Sequence, residues 1–284
     1  MKILLIIFMI TIILICLFKK RRESFYNSIL LEIQNSKHFN NYINSIDKNM
    51  KGVKLKNYTE KNNFKKKYLE YLSELNEMEK KNIFRLTKIC DQKLRNLNLK
   101  IFFKYPWKFL KSNNNLEMGM PFTVHDTIII PQNFFNKIMN VQYNDNLLDT
   151  LIHEKIHIIQ RFNQDKFNSY YLKIYPFLNK KFNSIPNKFH KNNMVNPDSN
   201  NQYWTYKFNN NIYFVYLKYH NGKVFSHAIN KHGSIGYLNI LKTKYNFKLN
   251  TSIYHPNEIF ACEVAHQIMS KKVSEKYLKF LHSF

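Results

Sequence analysis

Glycine is scarce in this chain, with five residues in 284. Loop-rich and repeat architectures need many more positions of free backbone, and no internal repeat is visible. Cysteine is scarce too: Cys16, Cys90 and Cys262 lie far apart, and no CxxC pair occurs. That excludes a disulfide scaffold and fits a reducing compartment. Acidic residues are few, 19 against 44 lysines and arginines, for a formal net charge of +25. Such a balance draws a surface towards phosphates, of nucleic acid or of anionic lipid. The lysines are dispersed, however, and asparagine and isoleucine are abundant throughout, a drift typical of AT-rich genomes. No basic motif of a nucleic-acid module occurs, so nucleic acid is not favoured as a partner. The hydrophobic content, 44%, is enough for one sizeable core with a small helical appendage.

The chain opens "MKILLIIFMITIILICLFKKRR". Residues 3 to 18 are apolar apart from Thr11, and Lys19, Lys20, Arg21 and Arg22 follow. As a helix this run is about 24 Å long, a little short of a ~30 Å hydrocarbon core. Snorkelling lysines and arginines cover such a mismatch. A cleaved signal peptide places its charges before the run and a small-residue site after it. Here one lysine precedes the run, the basic cluster follows it, and there is no such site. Residues 1–22 are therefore expected to form an uncleaved, single-pass membrane anchor. The basic cluster would touch anionic lipid, and the positive-inside tendency puts the rest of the chain on the cytoplasmic side.

Residues 23 to about 58 are polar with scattered apolar positions and read as a helical or loosely structured stalk. From Thr59, a plausible N-cap, to Leu97, apolar residues mostly step by three or four, as in an amphipathic helix with one break. Together, residues 23–98 form a helical region. The period then changes. "LKIFFKY" (99 to 105) and "HDTIIIP" (125 to 131) read as strands, separated by a Gly/Pro turn in "MGMPFT". A helix is expected from 145 to about 162 and a polar, Pro-punctuated loop from about 176 to 202. "YWTYKF", "NIYFVYLKY" and "KVFSHAIN" read as a meander of strands with a tight turn at Asn221-Gly222. Two helices close the chain, at 256–270 and about 272–284, with Pro256 in a first turn. Residues 99–284 thus read as an α+β domain with small sheets.

The helix at 145–162 contains "TLIHEKIHIIQR". Leu147, Leu148, Leu151, Ile152, Ile156 and Ile159 make a continuous apolar stripe, and Asn144 or Asp145 can cap its start. At ~100° per residue, His153 and His157 lie about 40° apart and one turn along the axis, so both imidazoles can reach one metal ion. Glu154 lies beside the same cleft, positioned for a water on the metal. This is the HExxH zinc pattern. Chance would place it in about one chain in fifty of this composition. Two histidines and a glutamate near a core are costly unless satisfied, and ligation of one Zn²⁺ satisfies them together.

Zinc needs a third protein ligand and keeps a fourth position open for water in a catalytic site. "YHPNEIFACEVAHQI" (254 to 268) offers Glu258 in the first turns of an apolar helix. Glu263, about 140° round the same helix, and His255, just ahead of it, are the rivals. Glu263 could instead orient a ligand histidine. A tetrahedral oxyanion needs a further donor, for which Tyr254, His255, His227, His232 and Tyr237 are all candidates. The strand around "TIIIP" could border the cleft and pair with an extended peptide by its edge, or lie inside the sheet.

"HEKIH" followed about 100 residues later by "NEIFA" is similar to the zincin metallopeptidases whose third ligand is a glutamate on a later helix, the gluzincins. "MGMPFTVHDTIIIP", "LIHEKIHIIQRFNQDKF" and "NPDSNNQYW" also resemble a group of poorly characterised bacterial and large-DNA-virus metallopeptidase-like proteins. The resemblance covers roughly residues 100 to 270. It implies a zincin-like fold for 99–284, His153, His157 and Glu258 as ligands, Glu154 as general base, and a peptide or protein substrate. Many gluzincins place an acid four residues after the ligand glutamate, buttressing a ligand histidine. Here that position is Cys262, and the acid is Glu263. Expected, then, is a membrane-anchored zinc peptidase. The alternatives are an inactive zincin-fold membrane protein with a binding role, or a basic anchored module for polyanions.

Overall fold

The computed structural model is described over residues 2–46, 48–56, 58, 63–140, 145–175, 177–182, 193–199, 203–208, 211–220, 223–230, 233–237 and 254–284. Structural statements below concern these residues. The order of elements is α1 (Lys2–Asn35), α2 (Lys37–Ser45), α3 (Lys48–Lys54), α4 (Phe64–Glu70), β1 (Leu72–Ser73), α5 (Glu77–Asn96), β2 (Phe109–Ser112), β3 (Phe122–Val124), β4 (Thr127–Pro131), α6 (Gln132–Asn140), α7 (Asp145–Phe162), α8 (Gln164–Ile174), β5 (Phe177–Phe182), β6 (Asn193–Met194), β7 (Tyr203–Phe208), β8 (Asn211–His220), β9 (Lys223–Asn230), β10 (Gly233–Tyr237), α9 (Pro256–Met269) and α10 (Glu275–His282). The fold is α+β with two small sheets, of order β1-β2-β4-β3 and β10-β9-β8-β7-β5, with β6 also paired to β8.

α1 runs through the apolar N-terminal segment as one helix. Ile7, Phe8, Met9, Ile10, Ile12 and Ile13 are exposed on it. Among the described residues no helix is long and apolar enough to cross a membrane. The side chains of 3–6 and 14–22, which include Lys19, Lys20, Arg21 and Arg22, lie outside the described residues. Beyond them α1 joins the protein interior. Ile29 and Ile33 of α1, Phe39 and Tyr42 of α2 and Met50 of α3 belong to the same apolar core as Leu148 and Ile152 of α7.

The amphipathic stretch expected from Thr59 to Leu97 divides into α4 and α5, with β1 between them. Thr59 itself lies outside the described residues. α5 starts at a reciprocal cap: Asn76 accepts from the Glu79 backbone N–H, and the Glu79 carboxylate accepts from Asn76 N–H, which satisfies two helix-end donors at once.

The strand expected at 99–105 is instead a short 3₁₀ turn, Lys100–Phe103. Adjacent residues Ile101 and Phe102 are both buried, a pattern that the two-residue alternation of a one-sided strand does not accommodate. Asn98, at φ 53, turns the chain out of α5, and Leu99 N–H bonds back to Leu94 C=O. "TIIIP" is a strand, β4, but an interior one. It pairs with β2 in parallel and with β3 in antiparallel fashion, so its edge is not free for a peptide. The outer strand, β3, is itself sealed at Thr123, whose N–H donates to Asp198 Oδ1 at 3.1 Å and whose C=O accepts from Arg161 at 3.3 Å.

The loop expected from 176 to 202 carries β5, β6 and a 3₁₀ turn at Pro197–Ser199. The strand meander appears as β7, β8 and β9, antiparallel in succession. The proposed turn at 221–222 lies outside the described residues. Near the C-terminus, α8, α9 and α10 meet through aromatic rings. Phe260 lies 5.2 Å from Phe167 and 5.3 Å from Tyr277, and Tyr170 stacks on Phe280 at 3.8 Å.

Candidate metal centre

α7 is buried nearly all round: Leu148, Leu151, Ile152, Ile156, Ile158 and Ile159 are buried, and so are Glu154, Lys155, His157 and Gln160. Such a helix belongs in the interior, and its main partner is α9. α9 opens with His255 as N-cap, its Nδ1 accepting from Asn257 N–H at 3.1 Å, followed by Pro256. Glu258 therefore falls in the first helical turn, where the helix dipole favours a carboxylate. The antiparallel approach of α9 to α7 brings Glu258 against the two histidines.

His153 Nε2 and His157 Nε2 lie 2.9 Å apart. Glu258 Oε2 is 3.6 Å from the first and Oε1 is 3.5 Å from the second. Bonds of 2.0–2.2 Å to a tetrahedral zinc place ligand atoms about 3.4 Å apart. The two carboxylate distances match this, and the imidazole pair needs to open by only a few tenths of an ångström. The buried group His153, His157 and Glu258 can hold a metal ion.

The hydrogen-bond partners of His157 agree with that use. Gln160 Nε2 donates to the Asn257 carbonyl at 3.0 Å and to Tyr171 Oη at 2.8 Å. A carbonyl only accepts, so the amide nitrogen faces that way and Oε1 faces His157 Nδ1, 2.8 Å distant. Nδ1 therefore carries the hydrogen, and Nε2 turns its lone pair to the cage. Burial pushes the His157 imidazole down to about 3, so it stays neutral, as ligation requires. His153 is held on its other side by Cys262, Nδ1 to Sγ 3.5 Å. Burial works against its charge, but contacts with Cys262 and Glu258 outweigh this and hold the imidazole well above its ordinary value. Glu258 Oε1 accepts from Asn196 Nδ2 at 3.0 Å, and Tyr254 Oη stands 2.5 Å from the same nitrogen.

Glu154 faces the cleft beside the cage and is only 5% exposed. Its Oε2 is buried and finds no hydrogen-bond partner among the described residues. Burial, and then the charges of Asp198 and Glu258, push its carboxyl well above the usual carboxylate range. The cleft has a volume of about 620 Å³. Met120, Pro121 and Phe122 line it on one side, and Leu217, Val224 and Ser226 of the second sheet also contribute.

The remaining candidates fall elsewhere. His255 is committed to its cap. Glu263 points away from the cage and accepts from the hydroxyls of Tyr277 and Tyr175. Tyr254 stands behind Glu258, through Asn196. His227 packs on Tyr216 across β8 and β9. His232 and the side chain of Tyr237 lie outside the described residues. Gln160 and Asn196 hold the candidate ligands His157 and Glu258 yet were not singled out from sequence. A buried amide three residues after the second histidine was a readable signal for Gln160. Asn196, in an irregular segment, offered none. Neither protein-family models nor curated proteins nor solved structures match this chain.

Proposed function

We propose that this chain is a zinc-dependent peptidase held at a membrane by its N-terminal segment. The observation that carries the reading is one constellation: three converging ligand side chains with the orphaned carboxylate of Glu154 beside them. A bound zinc ion would supply Lewis acidity, lowering the pKa of a water and polarising a scissile carbonyl. His153, His157 and Glu258 would hold it, with Gln160, Cys262 and Asn196 fixing their orientation. Glu154 would take the proton of the attacking water on its free oxygen and pass it to the leaving amine. The similarity of "HEKIH" and "NEIFA" to gluzincins supports the same roles. Exposure of Ile7 to Ile13 and the basic cluster at 19–22 support the anchor, with the domain on the cytoplasmic side.

The polyanion reading draws no support from the cleft. Glu117, Asp149, Glu154, Asp198 and Glu258 all line it, and the one lysine among the described residues of its wall, Lys54, is bound to Glu117 at 2.6 Å. The test uses the full chain in detergent. Zinc should copurify at about one ion per chain, and Glu154→Gln should keep the zinc while lowering peptide hydrolysis at least a hundredfold. A zinc-loaded wild-type protein that cleaves nothing in a broad peptide library would sink the peptidase reading. Absence of zinc would sink the metal reading. Release of the full chain from membranes by alkaline carbonate would remove the anchor.

A further inference from the structure

Among the described residues two carboxylates keep a buried oxygen that no hydrogen bond reaches, Glu154 Oε2 and Asp149 Oδ1, and both line the same cleft. The proposed chemistry uses the first and leaves the second unexplained. We infer that Asp149 forms a subsite for a positively charged group of the substrate, an ammonium or a guanidinium, beside the metal cage. The inference rests on reading the cleft as a peptide-binding site.

Position comes first. Asp149 precedes His153 by four residues on α7, so the two share a face with Cβ atoms about 5–6 Å apart. On α9, Cys262 and His266 follow Glu258 at the same four-residue step and line the same cleft. A seam results, with Asp149, His153 and His157 on one helix and Glu258, Cys262 and His266 on the other. The metal cage occupies one end of the seam and Asp149 the other. An extended peptide advances about 3.3 Å per residue. A group bound at Asp149 therefore belongs to a residue next to the scissile bond or one beyond it.

Charge comes second. The chain has 44 basic residues against 19 acidic ones, and other carboxylates around the domain have found a cation. Glu32 and Asp126 share Lys108, Glu79 holds Lys111, and Asp198 holds Arg161. Lys54, the one lysine or arginine lining the cleft among the described residues, is held by Glu117. Among the described residues no lysine or arginine of the cleft wall is left for Asp149, and the basic groups that face it are the imidazoles of His153 and His266. Asp149 is half-buried, with one carboxylate oxygen enclosed and reached by no hydrogen bond, and an incoming cation offsets the cost of that enclosed oxygen. Apolar residues of the same cleft, Met120, Met194, Leu217 and Val224, suit the aliphatic stem of a lysine or arginine.

The test measures binding, which needs no turnover. Full-length zinc-loaded Glu154→Gln protein in detergent is titrated with acetylated, amidated alanine-based hexapeptides. These carry one lysine, norleucine or glutamate at each position in turn. A fourth set has norleucine and a free amino terminus. Lysine or free-amine peptides should bind at least tenfold tighter than norleucine peptides, with glutamate weakest. Whichever cationic set binds tighter identifies the source as side chain or terminus. Adding Asp149→Asn should bring the cationic peptides to within twofold of norleucine, whereas Asp149→Glu should retain a preference. Equal affinities across charge, a preference that survives Asp149→Asn, or no binding by any peptide would overturn the subsite. Hydrolysis of the same peptides by wild-type protein is read separately. Its absence with the charge preference intact removes the peptidase reading and leaves the subsite standing.

Discussion

His157 shows how neighbouring groups fix the tautomer of a single side chain. Gln160 is locked by the Asn257 carbonyl and Tyr171, and so presents an acceptor to Nδ1. Gln160→Leu removes that acceptor and the tautomer it selects. Zinc affinity should fall about 10–100-fold, the usual cost of losing such a support, as read by competition with a chromogenic chelator. An unchanged affinity would mean that the cage orients itself. Lys155 is the second residue of interest. It is fully buried, donates to the Tyr105 carbonyl and lies 4.5 Å over the Trp107 ring. Burial pushes its ammonium down to about 8, below the ~10.4 of an unfolded lysine. Between those values the unfolded chain binds the extra proton, so stability from this group rises with pH. Relative to Lys155→Met, the wild-type protein should gain about 2 kcal/mol between pH 8 and pH 10, measured by urea unfolding. A flat or falling difference would contradict the burial argument.

At the level of elements, the pair α7–α9 sets the site, and α8 and α10 hold α9 in place. Phe260 is fully buried where these helices meet, with rings from Phe167, Tyr277 and Phe280 around it. Phe260→Ala should cost about 3–5 kcal/mol by loss of burial and creation of a cavity, seen as a lower denaturation midpoint. Because Phe260 lies two residues after Glu258, zinc affinity should fall with it. A stable variant with full affinity would show that α9 is positioned by something else. Pattern reading worked best on elements of this kind. α7, α9 and the β7–β9 meander were legible because one residue period runs through each of them. It failed at 99–105, where two adjacent buried residues mimic a strand in composition but pack as a turn against the end of α5.

Across the whole molecule, the cage ties together residues about 100 positions apart, so metal and fold should be linked. Chelator treatment should lower the melting temperature. At zinc 1,000-fold above its dissociation constant, binding contributes about 4 kcal/mol, on the order of 10 °C for a chain of this size. Calorimetry with and without chelator measures it, and His153→Ala should already lack the shift. The N-terminal helices belong to the same interior. Tyr42, Lys54 and Tyr68 all converge on Glu117, and Lys54 and Glu117 reach the cleft itself.

Sequence by itself determined the helix that carries His153 and His157 and the preference for Glu258, because residue spacing and apolar periodicity are local properties of one helix. It could not decide between Glu258 and its rivals. That choice depends on the rotation of α9, set by the His255 cap, by the aromatic contacts of Phe260, and by Tyr175 and Tyr277 drawing Glu263 away. Tertiary structure alone placed β4 inside its sheet, sealed β3 with Asp198 and Arg161, and set Gln160, Cys262 and Asn196 behind the ligands. It also left Asp149 Oδ1 without a hydrogen bond among the described residues. Each of these is a contact between segments distant in the chain, and no local period records it.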